Sequence, residues 1–256
     1  MDTNDLIQRA IDSVSSRLHS YQASEDTKQN KKASLLSYWL YDYMRMLKKE
    51  KTFDPRKLKR YKRGEIVKVH LGYNIGSEQG GLHYAIVLDK NNSPSDQTIT
   101  IVPLSSVKNN KPLHRSKVLL GDTIFFQLNE KLAKQETVVN QRLKEILAEI
   151  DSLKEYANSS TDDELLENKV QIAERLRKLY ESVEYQKKLR ETNIKIKKEI
   201  LKMKKGSIAL VGQITTVSKI RIYNPLHPID VLSNIKVSPA LLDLIDDKIR
   251  EMYIGK

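Results

Sequence analysis

The sequence predicts an α+β protein, with a compact strand-rich core interrupted by a long antiparallel coiled-coil hairpin and preceded by two helices. Three observations carry this reading. Residues 63–88 set two strand-like runs around a glycine-rich polar loop. Val139, Leu143, Ile146, Ile150 and Leu153 step alternately by four and three, the spacing of a helix-on-helix seam. Residues 6–18 and 35–47 repeat apolar positions near a period of 3.6, as helices with one covered face do.

Taken in order, the first helix starts at Asp2 or Thr3 as cap and carries Leu6, Ile7, Ala10, Ile11, Val14 and Leu18 on one face. A polar stretch, 22–32, interrupts the pattern. The second helix places Leu35, Leu36, Trp39, Leu40, Tyr43, Met44 and Leu47 on one side, and Asp54-Pro55 ends it, because the residue before proline is pushed out of the helical region. Tyr38, Trp39, Tyr41 and Tyr43 are expected to pack on a core, the alternative being stacking on bases.

Strands follow. Val67, Val69 and Leu71 alternate with Lys68 and His70, and 84–88 is a continuous apolar run, the two patterns of half-buried and fully buried strands. Residues 98–106, 117–120 and 123–126 are further candidates, the last two split by Gly121-Asp122. From residue 128 the period becomes helical. A first arm of about 30 residues leads to a turn at 158–163, where Ser160 or Thr161 caps a second arm of about 43; at about 1.5 Å per residue the hairpin projects roughly 45 Å. The seam of the second arm, Ile172, Leu176, Leu179 and Val183, slips to Leu189 before Ile196, Ile200 and Met203, so a break is expected near 185–188. Strand signals return at 207–222, 224–229 reads as a loop, and Ser238-Pro239 opens a terminal helix whose face is Leu241, Leu242, Ile245, Ile249 and Met252. The expected units are residues 1–55, a core of 56–127 with 206–256, and the hairpin 128–205.

The chain has 256 residues, 39% of them hydrophobic, enough for a core. No apolar run approaches the roughly 18 residues of a membrane span, and the acidic first residues resemble no export signal, so a cytoplasmic protein with no membrane partner is expected. With no cysteine there is no disulfide, thiolate site or cysteine nucleophile, and the five histidines show no ligand spacing. No metal and no cofactor is therefore expected. The net charge of +12 is concentrated in two segments, 48–63 and 186–205, each holding nine basic and two acidic residues. Both flank the strand-rich core, as a phosphate-binding surface would.

The opening RGEI with GSEQGG and its following strand, then TITIVPLSS at 98–106, then SIALVGQITTVSKIRI at 207–222, together resemble the MazF/PemK family, the endoribonuclease toxins of type II toxin-antitoxin modules. The resemblance implies a small SH3-like β-barrel core with a C-terminal helix, a homodimer, an RNA substrate lying across the dimer groove and a cognate antitoxin that occludes it. The family closes the gap occupied here by the hairpin with a short loop, so the hairpin is an insertion that the resemblance does not explain.

Carried over residue by residue, the family's strand arginine falls at His83, its strand-end threonine at Ser105, and the acidic residue of the third segment at Gly212. RNA is cut without metal when its own 2′-hydroxyl attacks phosphorus, given a base, an acid and donors around the phosphoryl oxygens. His83 is the expected base or acid, with Ser105 beside it and Glu78 either orienting the ring or closing the loop. Gln79, the amides of Gly80 and Gly81, Ser106, Gln213 and Thr216, with Arg63 and Lys219 as cations, are the expected RNA contacts. The arginine-to-histidine change leaves a second expectation open, a catalytically inactive member that binds nucleic acid or a protein; a third is a toxin acting on a protein through the long arm.

Overall fold

The computed structural model describes residues 2–107, 112–203 and 205–255. Two antiparallel helices, α1 (Thr3–Gln22) and α2 (Thr27–Glu50), open the chain. The second starts earlier than its apolar pattern suggested because Asp26 accepts a hydrogen bond from the Lys28 amide, and a cap rather than hydrophobicity sets a helix start. Asp2 occupies the cap position of α1 but makes no side-chain cap bond.

A seven-stranded antiparallel sheet follows: β1 (Ile66–His70), β2 (Leu82–Val87), β3 (Thr98–Ser106), β4 (Lys117–Gly121), β5 (Ser207–Leu210), β6 (Thr215–Ser218) and β7 (Ile222–Asn224). Its order is β4-β5-β3-β2-β1-β7, and β3 pairs with β6 through its first half and with β5 through its last three residues. One strand thus serves two neighbours on the same edge, which requires the sheet to bend along β3. Apolar residues fill both faces. Val67, Val69, Ala85, Val87, Ile99 and Ile101 form one cluster with Tyr61, Val217 and Ile222. Ile66, Ile86, Val102 and Leu104 form another, covered by helices and by residues 231–237. Burial on both faces is why β2 and β3 read as nearly continuous apolar runs.

Residues 123–126 are not a strand. They are the first turn of α3 (Thr123–Ser159). In a strand Ile124 and Phe126 would share a face, whereas Ile124 is 2% exposed and Phe126 65%; the buried partner of Ile124 is Leu128, one helical turn on. The short α4 (Asp162–Glu167) is capped by Thr161 with Glu164 reaching back to its amide, a reciprocal capping box. α5 (Lys169–Lys202) then runs antiparallel to α3, as Arg175–Glu149, Gln186–Val139 and Lys197–Glu136 contacts show. The arms are 37 and 34 residues long, about 50 to 55 Å at 1.5 Å per residue, more equal than expected. Residue 204, within the expected second arm, lies outside the described residues.

The expected break at 185–188 does not occur; α5 is continuous there, and the interruption falls at Asn168, whose amide bonds back to the Glu164 carbonyl. The physical reason is that polar residues occupy the seam. Ile172, Arg175, Leu179, Ser182, Gln186, Leu189, Asn193, Ile196 and Ile200 are all buried or half-buried, in unbroken steps of three and four, while the expected Leu176 and Val183 are 51% and 41% exposed. Gln186 is tolerated because its Nε2 donates to the Val139 carbonyl at 2.6 Å, and Arg175 Nε meets Glu149 at 2.8 Å. These bonds offset part of the cost of burial, while Gln186 Oε1 and Asn193 Oδ1 are buried without a hydrogen-bond partner among the described residues.

The root of the hairpin is part of the core. Ile124, Leu128 and Ile196 are buried in the same cluster as the sheet, so the expected unit boundary at 127/128 passes through packed residues. Lys131 ties α3 down further, donating to the carbonyls of Asp230, Val231 and Ser233 at 2.7 to 2.9 Å. The terminal helix α6 (Pro239–Ile249) is capped by Ser238 as expected and buries Ile245 against the same cluster.

At the N-terminus only Trp39 of the aromatic stripe packs on the sheet, stacking on His70 with ring centroids 4.4 Å apart and lying under Arg221 at 5.5 Å. Tyr38 and Tyr41 are exposed, and so are Leu6, Ile7, Ile11 and Val14 of α1, against the expectation that these stripes face a core.

Candidate active site

The loop joining β1 to β2 is shaped by glycine at two positions. A Cβ on Gly80 would stand 2.9 Å from the Gly72 carbonyl oxygen and 3.1 Å from the Asn74 nitrogen, and Gly81 has φ +84°; both conditions exclude other residues. The turn is then closed by Gly81 N–H to Gly72 at 2.6 Å and Leu71 N–H to Gly81 at 2.8 Å. Across the loop, Gln213 clamps it from both sides of its amide. Its Oε1 accepts from the Gln79 N–H at 2.5 Å, and its Nε2 donates to the Ser77 carbonyl at 3.1 Å.

This places the Gln79 side chain on the ring of His83, with Nε2 at 3.0 Å from Nδ1 and 2.8 Å from the ring Nε2. His83 is half-buried on β2. Burial pushes its pKa below the ordinary value, opposed by hydrogen bonds to the carbonyls of Leu104 and Gly80. The β2–β3 register pairs Ala85 with Pro103; continued two residues, it sets His83 opposite Ser105. His83, Ser105 and Ser106 line one cavity of about 250 Å³.

The other expected residues are distributed differently. Glu78 is exposed and lines a neighbouring cavity of about 740 Å³ with Gln79, Gln213 and Thr216. The group that touches the imidazole is Gln79, so Glu78 is not the orienting residue. Gln79 joins the two spaces, because it lines the larger one and contacts the histidine of the smaller. Thr216 is exposed on β6, its hydroxyl 3.2 Å from that of Thr100. Lys219 is 2% exposed, with Nζ donating to the Ser93 carbonyl at 2.8 Å. Arg63 binds the Leu88 carbonyl and Asp246 of α6. These two cations are committed to internal partners, and their position does not present them to either cavity. Lys59, in the same basic segment, is likewise paired with Glu65 at 2.7 Å, both side chains 8% exposed.

Sequence reasoning missed a group beside the site. Glu199 of α5 accepts from Lys68 of β1 and from Tyr84 of β2, and Lys68 also lies 5.1 Å from the Tyr84 ring centre. Burial and the adjoining carboxylate push the Tyr84 phenol up. Lys202 and Met203, at the end of the second arm, line the His83 cavity. The only signal for these was the basic segment 186–205 abutting a core strand. Arg221 beside the larger cavity was also missed.

In this α+β chain a bent antiparallel sheet and a glycine-closed loop bring an imidazole and two hydroxyls together on the adjacent inner strands β2 and β3, forming a small polar site. Residues 62–156 match the family described as PemK-like, MazF-like toxin of type II toxin-antitoxin system. The part of the chain that is similar to this family spans β1 to β4 and most of α3, and includes two of the three segments that carried the resemblance. No curated protein matches the chain. Among the described residues no helix is long and apolar enough to cross a membrane.

Proposed function

We propose that this protein is the toxin of a toxin-antitoxin module and cleaves single-stranded RNA without a metal ion. The observation that carries the reading is that His83 and Ser105 line one cavity, beside a glycine loop held in place by Gln213. The lowered pKa of His83 keeps its imidazole neutral near pH 7, the form that acts as a base. It takes the proton of the 2′-hydroxyl as that oxygen bonds to phosphorus. The P–O5′ bond then breaks, the imidazolium returns the proton to the departing 5′-oxygen, and the products are a 2′,3′-cyclic phosphate and a 5′-hydroxyl. Ser105, Ser106, the side-chain amide of Gln79 and the N–H of Gly80 hold the phosphoryl oxygens, the expected Gly81 N–H being committed to the Gly72 carbonyl, while Gln213 and Thr216 line the adjoining space for the neighbouring nucleotide.

The same reading carries the finer architecture. The bent sheet is a small barrel-like core, the α1–α2 pair an extension and the α3–α5 pair a coiled-coil insertion, with a homodimer, RNA and an antitoxin as partners. One observation favours the alternative of a binding module without activity: the Gln79 amide sits on both ring nitrogens of His83, and it must swing away before the ring accepts a proton.

Incubation of the protein with long mixed-sequence RNA in EDTA, followed by mapping of the ends, separates the two. Discrete cuts ending in 2′,3′-cyclic phosphate are expected. Salt-sensitive binding with no strand scission would replace the enzyme by the binding module.

A further inference from the structure

The inserted hairpin returns to the sheet beside the candidate site. There the end of α5 is bolted to two strands at once, because Glu199 accepts hydrogen bonds from Lys68 and from Tyr84. Burial alone would raise the Glu199 carboxyl, but those two bonds and the nearby ammonium charge hold it below the usual range. The carboxylate is ionised and committed to Lys68, with both side chains 19% exposed.

Lys202 follows Glu199 by three residues, on the same side of the helix. The carboxylate nearest to it is paired with Lys68, and Lys202 feels it through space without forming an ion pair among the described residues. It is exposed at its surface end and lines the cavity of about 250 Å³ with His83 and Ser105. Arg63 and Lys219 are bound inside the protein, and a neutral imidazole supplies no positive charge. Among the described residues lining this cavity, a phosphodiester would meet hydroxyls and one cation, Lys202.

We propose that Lys202, carried to the His83–Ser105 cavity by the root of the inserted hairpin, is the cation that binds the substrate's phosphodiester. The insertion is then a wall of the site. This rests on the endoribonuclease reading for its substrate.

The test uses the full chain and two probes, ordinary mixed-sequence RNA and the same pool fully 2′-O-methylated, which lacks the attacking hydroxyl. Lys202→Met is expected to lower cleavage about 10- to 100-fold. It should also reduce the slope of log affinity for the methylated pool against log salt by about 0.7, the loss of one single-strand phosphate contact. Lys202→Arg should restore most of both, and Lys178→Met, on the exposed face of the arm, should change neither. A Lys202→Met protein that cuts like wild type with an unchanged slope overturns the proposal and leaves the nuclease reading intact. Wild-type protein that binds the methylated pool but cuts nothing overturns the nuclease reading, and the slope of Lys202→Met then decides the phosphate contact alone. Protein that neither binds nor cuts overturns both.

Discussion

His83→Ala is expected to lower RNA cleavage by about a hundred- to ten-thousand-fold, the usual contribution of a positioned general base, while leaving affinity for uncleavable RNA close to wild type. The site explains the split. The ring lines the cavity with Ser105, but in the proposed mechanism the donors that hold phosphate belong to the serines, the Gly80 N–H and the Gln79 side chain. The pH dependence follows from burial, which lowers the His83 pKa. Cleavage should persist at neutral pH and fall as the pH drops below the ordinary histidine value into the range where the ring protonates. Stability moves in the same direction. Between the depressed folded value and the ordinary one, the unfolded chain binds more protons than the folded chain, so unfolding free energy rises with pH across that window. A rate profile for wild type that is flat down through that acidic range would remove His83 from the base role.

Ile196→Ala is expected to cost about 2 to 5 kcal/mol of stability, read as a lower denaturant midpoint with one cooperative transition. Ile196 is fully buried in the cluster that also holds Ile66, Val102 and Leu128. The side chain therefore belongs to the sheet's core although it sits on α5. Leu176→Ala, higher on the same helix and 51% exposed, should change the midpoint little. Two separate transitions in the wild-type protein, one for the arm and one for the sheet, would show that the hairpin folds as its own unit.

What the sequence disclosed followed the strength of its local signals. The β1–loop–β2 segment was legible because alternation and clustered glycines each have one structural meaning, and Ser238-Pro239 because cap and proline agree. Residues 123–126 were misread since Ile-Phe-Phe after a Gly-Asp pair fits a strand as well as a first helical turn; only the unequal burial of Ile124 and Phe126 distinguishes them. The seam of α5 was misread for a different reason. Its facing positions include Arg175, Gln186 and Asn193, and a pattern built from hydrophobic letters cannot follow a stripe with polar residues in it. At the site, His83, Ser105 and Gln79 were legible through family resemblance, which covers strands and loop. Glu199 and Lys202 lie in the part of the chain that the resemblance leaves blank, and their proximity to His83 is a long-range fact set by how the arm returns. The unfilled expectations for Arg63 and Lys219 show the converse, that a basic residue in a matching motif is free only if no carbonyl or carboxylate of its own fold claims it.

The stacking of Trp39 on His70 gives the protein a built-in optical label. Trp39 is the single indole of the chain, and it sits at the joint where α2 meets β1, with Arg221 above it. Burial lowers the His70 pKa, with Asp42 opposing the shift, so the imidazole beneath the indole is uncharged at neutral pH and its quenching is constant there. Emission from unlabelled protein therefore reads the seating of the N-terminal helices on the sheet, and reads it at the end of β1 from which the glycine loop departs.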